Sequence, residues 1–508
     1  MAIIDIGSRS TTMEIFSIEG DSFKQIYYNS VATFLGQSTS HTGDLDVSAI
    51  ERTAIALSDF KKVIESMDES GRFQDFYTPI AIYAVCTEAV RRAGNREDFL
   101  SLVQQTLGAS TNCRIISGEE EAVYEYIGVI NSTDMRDFIM IDTGGNSTEI
   151  VLVQDRKLKQ YASIPFGAVN LTEKFFNTVV AAPHRISEAV NTILPDFENL
   201  EWLASSKNFP IIACGSSARN LAMAEMSKKI ATSSSLHGYM INYSNVAFMA
   251  NQIVKMPAKE RIDKLGINSS LSEVIVGGLV PLLALFKATN SRRMYYSQYS
   301  LVYGLFYEQF SKLNKRASAI EPDVLGSSLK RIMAQYNCNP EHAEFVEKLA
   351  LSVFDQTEAI HHLPEHFRKI LSVSSLLHDV GEFIGFNNHH ENSFYIIKES
   401  EIYGLEHQYK FYAALIAAYH RKERFWFDWF KYWHVVNRRT LSTLKDLGKI
   451  INIAEIIAER YPDVRDVRLQ IAPQAIQVIL EKETKQTQID YGNSICKLFG
   501  RKVYLINR

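Results

Sequence analysis

Short apolar runs trade places with stretches of helical spacing over the first three fifths of the chain. Ile3–Phe16 holds two apolar runs about a Gly-containing turn, which predicts a β-hairpin. Val47–Met67 carries apolar residues at helical intervals with few breakers, Pro79–Val85 is a short buried strand, and Asn95–Gly108 is a second helix. Ile115-Ile116-Ser117-Gly118 leads into a helix over Glu119–Val129. A second block opens at Phe138 with another hairpin pattern. It continues through a strand at Pro210–Ala213, a turn at Gly215-Ser216-Ser217 and helical stretches to about Gln309. Strands alternating with helices predict an α/β class. After Lys312 the texture changes: Asn314–Pro322 is polar and linker-like, Asp323–Ile457 is almost wholly helical, and Val467–Ile471 and Ala475–Glu481 are strand candidates. The expected domains are residues 1–130, 131–312 and 323–508.

The two hairpins nearly repeat each other, 137 positions apart (141 minus 4). Ile4-Asp5-Ile6-Gly7-Ser8-Arg9 and Ile141-Asp142-Thr143-Gly144-Gly145-Asn146-Ser147 share an apolar approach, an Asp and a hydroxyl-rich turn with Gly. Gly lets backbone approach a phosphate closely and aim successive N–H groups at one point. An Asp at each strand end, Asp5 or Asp142, can hold a divalent cation that phosphate oxygens share. Two unrelated hairpins are the plain alternative. The repetition favours a phosphate clamp between two similar lobes.

Composition narrows the class. The 508 residues are 46% hydrophobic and 22% charged with net charge −4, so no global charge advertises nucleic acid or an anionic membrane, and a polyanion site has to be a local groove. Five scattered cysteines (Cys86, Cys113, Cys214, Cys338, Cys496) without a CxxC pair fit reduced thiols and a cytoplasmic protein. Asp5 argues against a secretory leader, and the apolar run Val274–Phe286 is too short to span a bilayer.

Five signals in order carry a resemblance: Asp5-Ile-Gly-Ser8, Thr87-Glu-Ala-Val-Arg91 with Asn95, Ser117-Gly-Glu-Glu-Glu-Ala122, Asp142-Thr-Gly-Gly-Asn-Ser-Thr-Glu149 and Gly167-Ala-Val-Asn-Leu-Thr172. The set resembles the exopolyphosphatase / guanosine pentaphosphate phosphohydrolase family along essentially the whole chain. The resemblance implies two ribonuclease-H-like lobes of the actin, Hsp70 and sugar-kinase type around a cleft. It also implies an all-helical HD-like domain and a small C-terminal α+β end. By resemblance Glu121 matches the carboxylate that activates water, with Glu149 beside it. Asp5 and Asp142 are then the expected ligands of Mg²⁺ or Mn²⁺. Expected phosphate contacts are Gly7, Ser8, Arg9, Thr87, Arg91, Gly144, Gly145, Asn146, Ser147, Gly215 and Ser216. On the residues alone, the acid run at Glu119–Glu121 better suits a helix N-terminus facing water, and Arg91 equally suits a surface ion pair. The chain departs from the family pattern at Arg9, Thr143, Asn146, Asn170 and Val302-Tyr303, which blurs the substrate; Arg9 is a candidate to offset the arginine missing at 170.

The helical block has its own signal. Leu377-His378-Asp379-Val380-Gly381, His389-His390 and Tyr419-His420-Arg421-Lys422 look like an HD-type phosphohydrolase domain. A second, candidate metal set is His342, His378, Asp379, His390, His420 and Glu455, with a metal-free structural core as the alternative. In the family this module is usually degenerate and serves dimerisation and polymer binding. Arg421–His434 interleaves three of the four tryptophans with basic residues; it suits single-stranded nucleic acid, a phosphate chain or, most simply, a Trp-rich helix–helix interface.

The expected function is metal-dependent hydrolysis of a terminal phosphoanhydride. Inorganic polyphosphate is the first choice of substrate and guanosine pentaphosphate the close second. A non-catalytic binder of either anion is the rival from another class, and a small-molecule kinase of the same broad fold a third. A homodimer is expected, with no membrane and no nucleic-acid partner.

Overall fold

A computed structural model describes residues 1–37, 42–69, 80–228, 232–421, 425–482 and 494–507. Pro79, at the start of a predicted strand, and Lys422 lie outside these residues. The chain divides into two compact units, residues 1–228 with 236–324, and residues 229–235 with 325–508.

The first unit contains two sheets built on one plan. Strands β1 (Ala2–Ile6), β2 (Ser10–Glu19), β3 (Ser22–Ala32), β4 (Ile82–Cys86) and β5 (Asn112–Ile115) run in the order β3-β2-β1-β4-β5. Strands β6 (Phe138–Thr143), β7 (Thr148–Gln154), β8 (Lys157–Ile164), β9 (Ile211–Cys214), β10 (Met240–Asn242) and β11 (Arg293–Tyr296) run β10-β11-β9-β6-β7-β8. In each sheet an antiparallel meander opens the block, and its first strand then takes a parallel neighbour, β4 beside β1 and β9 beside β6. These central strands are covered on both faces, which is why β1 is apolar at nearly every position instead of alternating. Both repeated turns therefore leave the end of a buried central strand.

Two helices hold the acidic motif in place. The Gly118–Ile130 helix lies against the Leu301–Leu313 helix at very short range. A Cβ on Gly304 would sit 1.8 Å from the Tyr124 carbonyl oxygen, and one on Gly128 2.1 Å from that of Ser300. Gly304 sits where the crossing admits no side chain.

The second unit is mainly helical from Leu325 to Arg460 and ends in a four-stranded sheet. Its strands β12 (Val464–Ile471), β13 (Ala475–Lys482), β14 (Cys496–Leu498) and β15 (Arg501–Asn507) are ordered β12-β13-β15-β14. The α/β class with a helical region and a small terminal sheet agrees with the expectation. The Trp-rich segment does not form the expected helix–helix interface. From Phe425 it runs without regular structure apart from a 3₁₀ turn at Trp429–Tyr432. Phe425, Phe427, Trp429 and Tyr432 pack on the core, while Trp426, Phe430 and Trp433 face solvent. The apolar run at Val274 forms a buried helix, Ile275–Thr289, and no described helix is long and apolar enough to cross a membrane.

Candidate active site

The two turns come together. Ser147, in the second turn, places its Oγ 3.2 Å from Glu88 Oε2, at the start of the short Glu88–Arg92 helix that follows β4. Thr87, buried, precedes that helix, and Arg91 lies within it. Asp5 and Asp142 are the penultimate residues of β1 and β6; burial raises both carboxyls to about 7, and at Asp142 the charges of Glu149 and then Asp5 add to the rise. Glu149 stands directly opposite Asp142 across the β6–β7 pair and accepts from Ser147 Oγ at 3.0 Å and Ser163 Oγ at 2.9 Å.

The acidic run sorts itself by contact. Glu120 closes a capping box: the Ser117 side chain accepts from its N–H, and its own carboxylate takes the Ser117 N–H at 2.8 Å. Arg114 holds the same carboxylate at 2.5 Å, and Glu119 is exposed. Glu121 turns inward and meets Arg91 Nη1 at 3.3 Å. Burial first, then Glu149 and Asp5, raise its carboxyl to about 8, against the pull of Arg91. Arg91 also donates to the Ile116 carbonyl at 2.6 Å, so the arginine positions the acid and its strand end together.

A fifth acid was not legible as part of the site. Glu125, one helical turn beyond Glu121, is 5% exposed, and its Oε2 has no hydrogen-bond partner. Burial and the charges of Asp142, Glu149, Glu121 and Asp5 push it well above the usual carboxylate range. It sits in an otherwise apolar helix stretch, which in sequence suggests core. Its spacing from Glu121 was the available signal.

The turns themselves correct part of the expected phosphate cradle. Gly7 N–H donates to the Ser10 carbonyl at 3.0 Å and Gly144 N–H to that of Ser147 at 2.9 Å, so these two amides close the turns instead of facing an anion. Ala168 and Val169 N–H groups take the Gly144 and Gly145 carbonyls at 2.9 and 2.7 Å, and Asn170 Nδ2 takes that of Asn146 at 3.0 Å. The start of the Ala168–Phe175 helix thus pins three successive carbonyls of the second turn. Gly167 permits the approach, since a Cβ there would lie 2.5 Å from the Gly145 backbone. Asn170 serves as this clasp. Arg9 lies over the Phe34 ring, and its Nε is buried without a hydrogen-bond partner.

Gly215 opens the Gly215–Met226 helix at φ +77°, and a Cβ there would fall 2.1 Å from Asp142 Oδ1. Only glycine admits the carboxylate this close to the helix start. Ser216 follows it and uses its carbonyl to accept from Asn220.

In the helical unit His342, His378, Asp379 and His420 gather, and Glu455 Oε2 lies 3.6 Å from His420 Nε2. The ligand groups take His389 and not His390. Both begin the same helix, and its phase turns the first of the pair toward Asp379.

The profile of the Ppx/GppA phosphatase family matches residues 14–313, and that of its domain III matches residues 324–460. A guanosine-5'-triphosphate,3'-diphosphate pyrophosphatase of Photobacterium profundum is 24% identical over 79% of this chain and 76% of its own length. One from Vibrio parahaemolyticus is 25% identical over 83% and 80%. The crystal structure of the Aquifex aeolicus member of the Ppx/GppA family is 28% identical with a TM-score of 0.51, covering 62% of this chain and 98% of that one. The larger matched region takes in Arg91, Glu121 and the second turn and begins just after the first turn, and the chain belongs to the Ppx/GppA phosphatase family.

Proposed function

We propose that this enzyme hydrolyses the terminal phosphoanhydride of guanosine pentaphosphate, using the cleft between the two repeated turns. The observation that carries the reading is that Asp5, Glu121, Asp142 and Glu149, drawn from both lobes, lie near enough to act on one another's charge, with Arg91 paired to Glu121. The two curated relatives, named for guanosine pentaphosphate, favour that substrate over the polyphosphate preferred from sequence. Inorganic polyphosphate presents the same terminal group and stands as the second substrate.

The residues fit a divalent cation such as Mg²⁺ or Mn²⁺. Asp5 Oδ1 and Glu125 Oε2 are buried acceptors without partners, and the acids repel one another unless something positive intervenes. Asp5 and Asp142 would hold it, and when bound it supplies charge neutralisation on the phosphoryl oxygens. The remaining work falls to the chain. N–H groups of Gly145, Asn146 and Ser147 cradle the terminal phosphate, with Ser8 and Arg9 from the first turn. Glu121, ionised, takes a proton from the attacking water; an O–P bond forms to the terminal phosphorus, the bridging P–O bond breaks with its electron pair on the oxygen of the departing guanosine tetraphosphate, and the attacked group is released as inorganic phosphate. Arg91 and Glu149 keep Glu121 and the water in line.

Phosphate release from guanosine pentaphosphate and from long and short polyphosphate, by wild type and Glu121→Ala, tests this. A loss of at least about 10²-fold in the variant is expected. Full activity in Glu121→Ala would reject the assignment, and tight binding of both anions without release by the wild type would favour a non-catalytic binder.

A further inference from the structure

The Trp-rich segment is held to the helical unit at intervals. Phe425, Phe427 and Tyr432 pack on Phe394 and Phe411 of the core, with ring centroids 5.0–6.3 Å apart. Further on, the Val435 carbonyl accepts from the Tyr412 hydroxyl at 2.7 Å. The rings between these points turn away. Trp426 is 79% exposed, Phe430 63% and Trp433 73%. A single apolar side chain on a surface needs no explanation, but three of the largest between positions 426 and 433 mark a place where something docks. Because the backbone is fixed by its buried rings, the outward ones are presented without further ordering cost.

The same stretch is basic. From Phe425 to Arg439 it carries three cations, Lys431, Arg438 and Arg439, against one acid, in a chain of net charge −4. All three cations are exposed, and the acid, Asp428, is already paired with Lys431 at 3.4 Å. Arg438 and Arg439 open the Arg438–Arg460 helix, whose first turn holds no acid. The dipole disfavours cations there, so local folding gives no reason for the pair, whereas an anionic partner does. Arg438 lies over the Trp429 ring at 5.6 Å, which puts the cations beside the aromatic rings in space as well as in sequence.

Charge and ring geometry select the partner. A second copy meeting this face across a twofold axis would set the cations against themselves. Single-stranded nucleic acid stacks its bases on open ring faces. Here Trp429 and Phe430 stack on each other at 4.0 Å, and Arg438 lies over Trp429. Outward Trp and Phe edged by Lys and Arg suit the bilayer interface, where rings enter among the headgroups and cations meet lipid phosphates.

We propose that residues 425–439 are a peripheral anchor, which inserts Trp426, Phe430 and Trp433 into the interface of an anionic lipid surface while Lys431, Arg438 and Arg439 meet its headgroup phosphates. The segment lies on the surface and spans nothing. No step of the hydrolysis depends on it. It differs from the expectation of no membrane partner, which rested on the charge of the whole chain and not on one segment.

Cosedimentation of the full chain with vesicles tests the proposal, using phosphatidylcholine and phosphatidylglycerol in equal parts against phosphatidylcholine alone. Binding to the anionic vesicles should be at least about tenfold tighter and should weaken as salt rises. Three of the four tryptophans lie in this segment, so emission should shift to the blue on binding and be quenched by lipids brominated in the acyl chain. Trp426→Ser combined with Trp433→Ser should weaken binding by at least about tenfold. Arg438→Gln combined with Arg439→Gln should remove the preference for anionic lipid. Both variants should keep the wild-type circular dichroism and thermal midpoint. Wild type left in the supernatant by anionic vesicles, or bound with unshifted and unquenched emission, overturns the anchor whatever the variants do. Equal binding to neutral vesicles overturns the role of the cations. An oligouridylate bound in place of vesicles, or a dimer that the tryptophan variants abolish, gives the surface to nucleic acid or to a second copy and overturns the lipid assignment.

Discussion

Three adjacent acids, Glu119, Glu120 and Glu121, differ only in what surrounds them. One faces water, one caps its helix, and one is drawn into the cleft against Arg91. In sequence they were nearly equivalent, because direction within a helical turn depends on what the helix packs against. The same limit hid Glu125, and it placed His390 where His389 belongs. Glu121 works as a base when ionised, so kcat is expected to rise with pH through the range near 8 to which burial and its acidic neighbours push it, and any bound cation lowers that range. Arg91 favours the ionised form. Arg91→Gln should therefore shift the acid limb of the kcat–pH profile to higher pH, measured at saturating substrate. A limb that stays or moves down would show that the pair does not tune the base.

At the scale of elements, the Gly118–Ile130 helix is a lever between core and chemistry. Its first two turns carry Glu121 and Glu125, and it is clamped on the Leu301–Leu313 helix where Tyr124 meets Gly304 and Gly128 meets Ser300. Gly304→Ala should force the two backbones apart, costing about 1–3 kcal/mol by overpacking. It should also lower kcat, because the displaced helix moves Glu121 away from Arg91. Urea unfolding together with phosphate release checks this; an unchanged midpoint would mean the crossing has slack. The second turn shows a similar division of labour. Its sequence announced a phosphate loop, but three of its carbonyls are tied to the Ala168–Phe175 helix and one amide closes the turn.

For the whole molecule, the cleft stores the cost of burying carboxylates, with mutual repulsion added at Asp142 and Glu121. Asp5, Asp142 and Glu121 have carboxyls raised to about 7, 7 and 8. A raised folded pKa means stability that is complete below the ordinary carboxylate range and is lost as pH rises toward 7–8. Without divalent cation, the melting temperature of the first unit should therefore fall between pH 5 and 8. Mg²⁺ should raise it more at pH 8 than at pH 5, and Asp142→Asn should reduce both effects. Scanning calorimetry checks the pair of slopes, and an Mg²⁺ shift independent of pH would reject the picture. The α/β class, the duplicated strand–turn–strand, the helical second half and the terminal strands were all determined by the sequence alone. Hydrophobic period and Gly-Asp turn chemistry are local, and they act the same wherever the segment ends up. Which acid enters the cleft, which amides are used up in the turns and which histidine joins Asp379 were decided only by tertiary structure. Those choices turn on a single helical phase angle or on segments over a hundred residues apart being pressed together, and no local pattern records either.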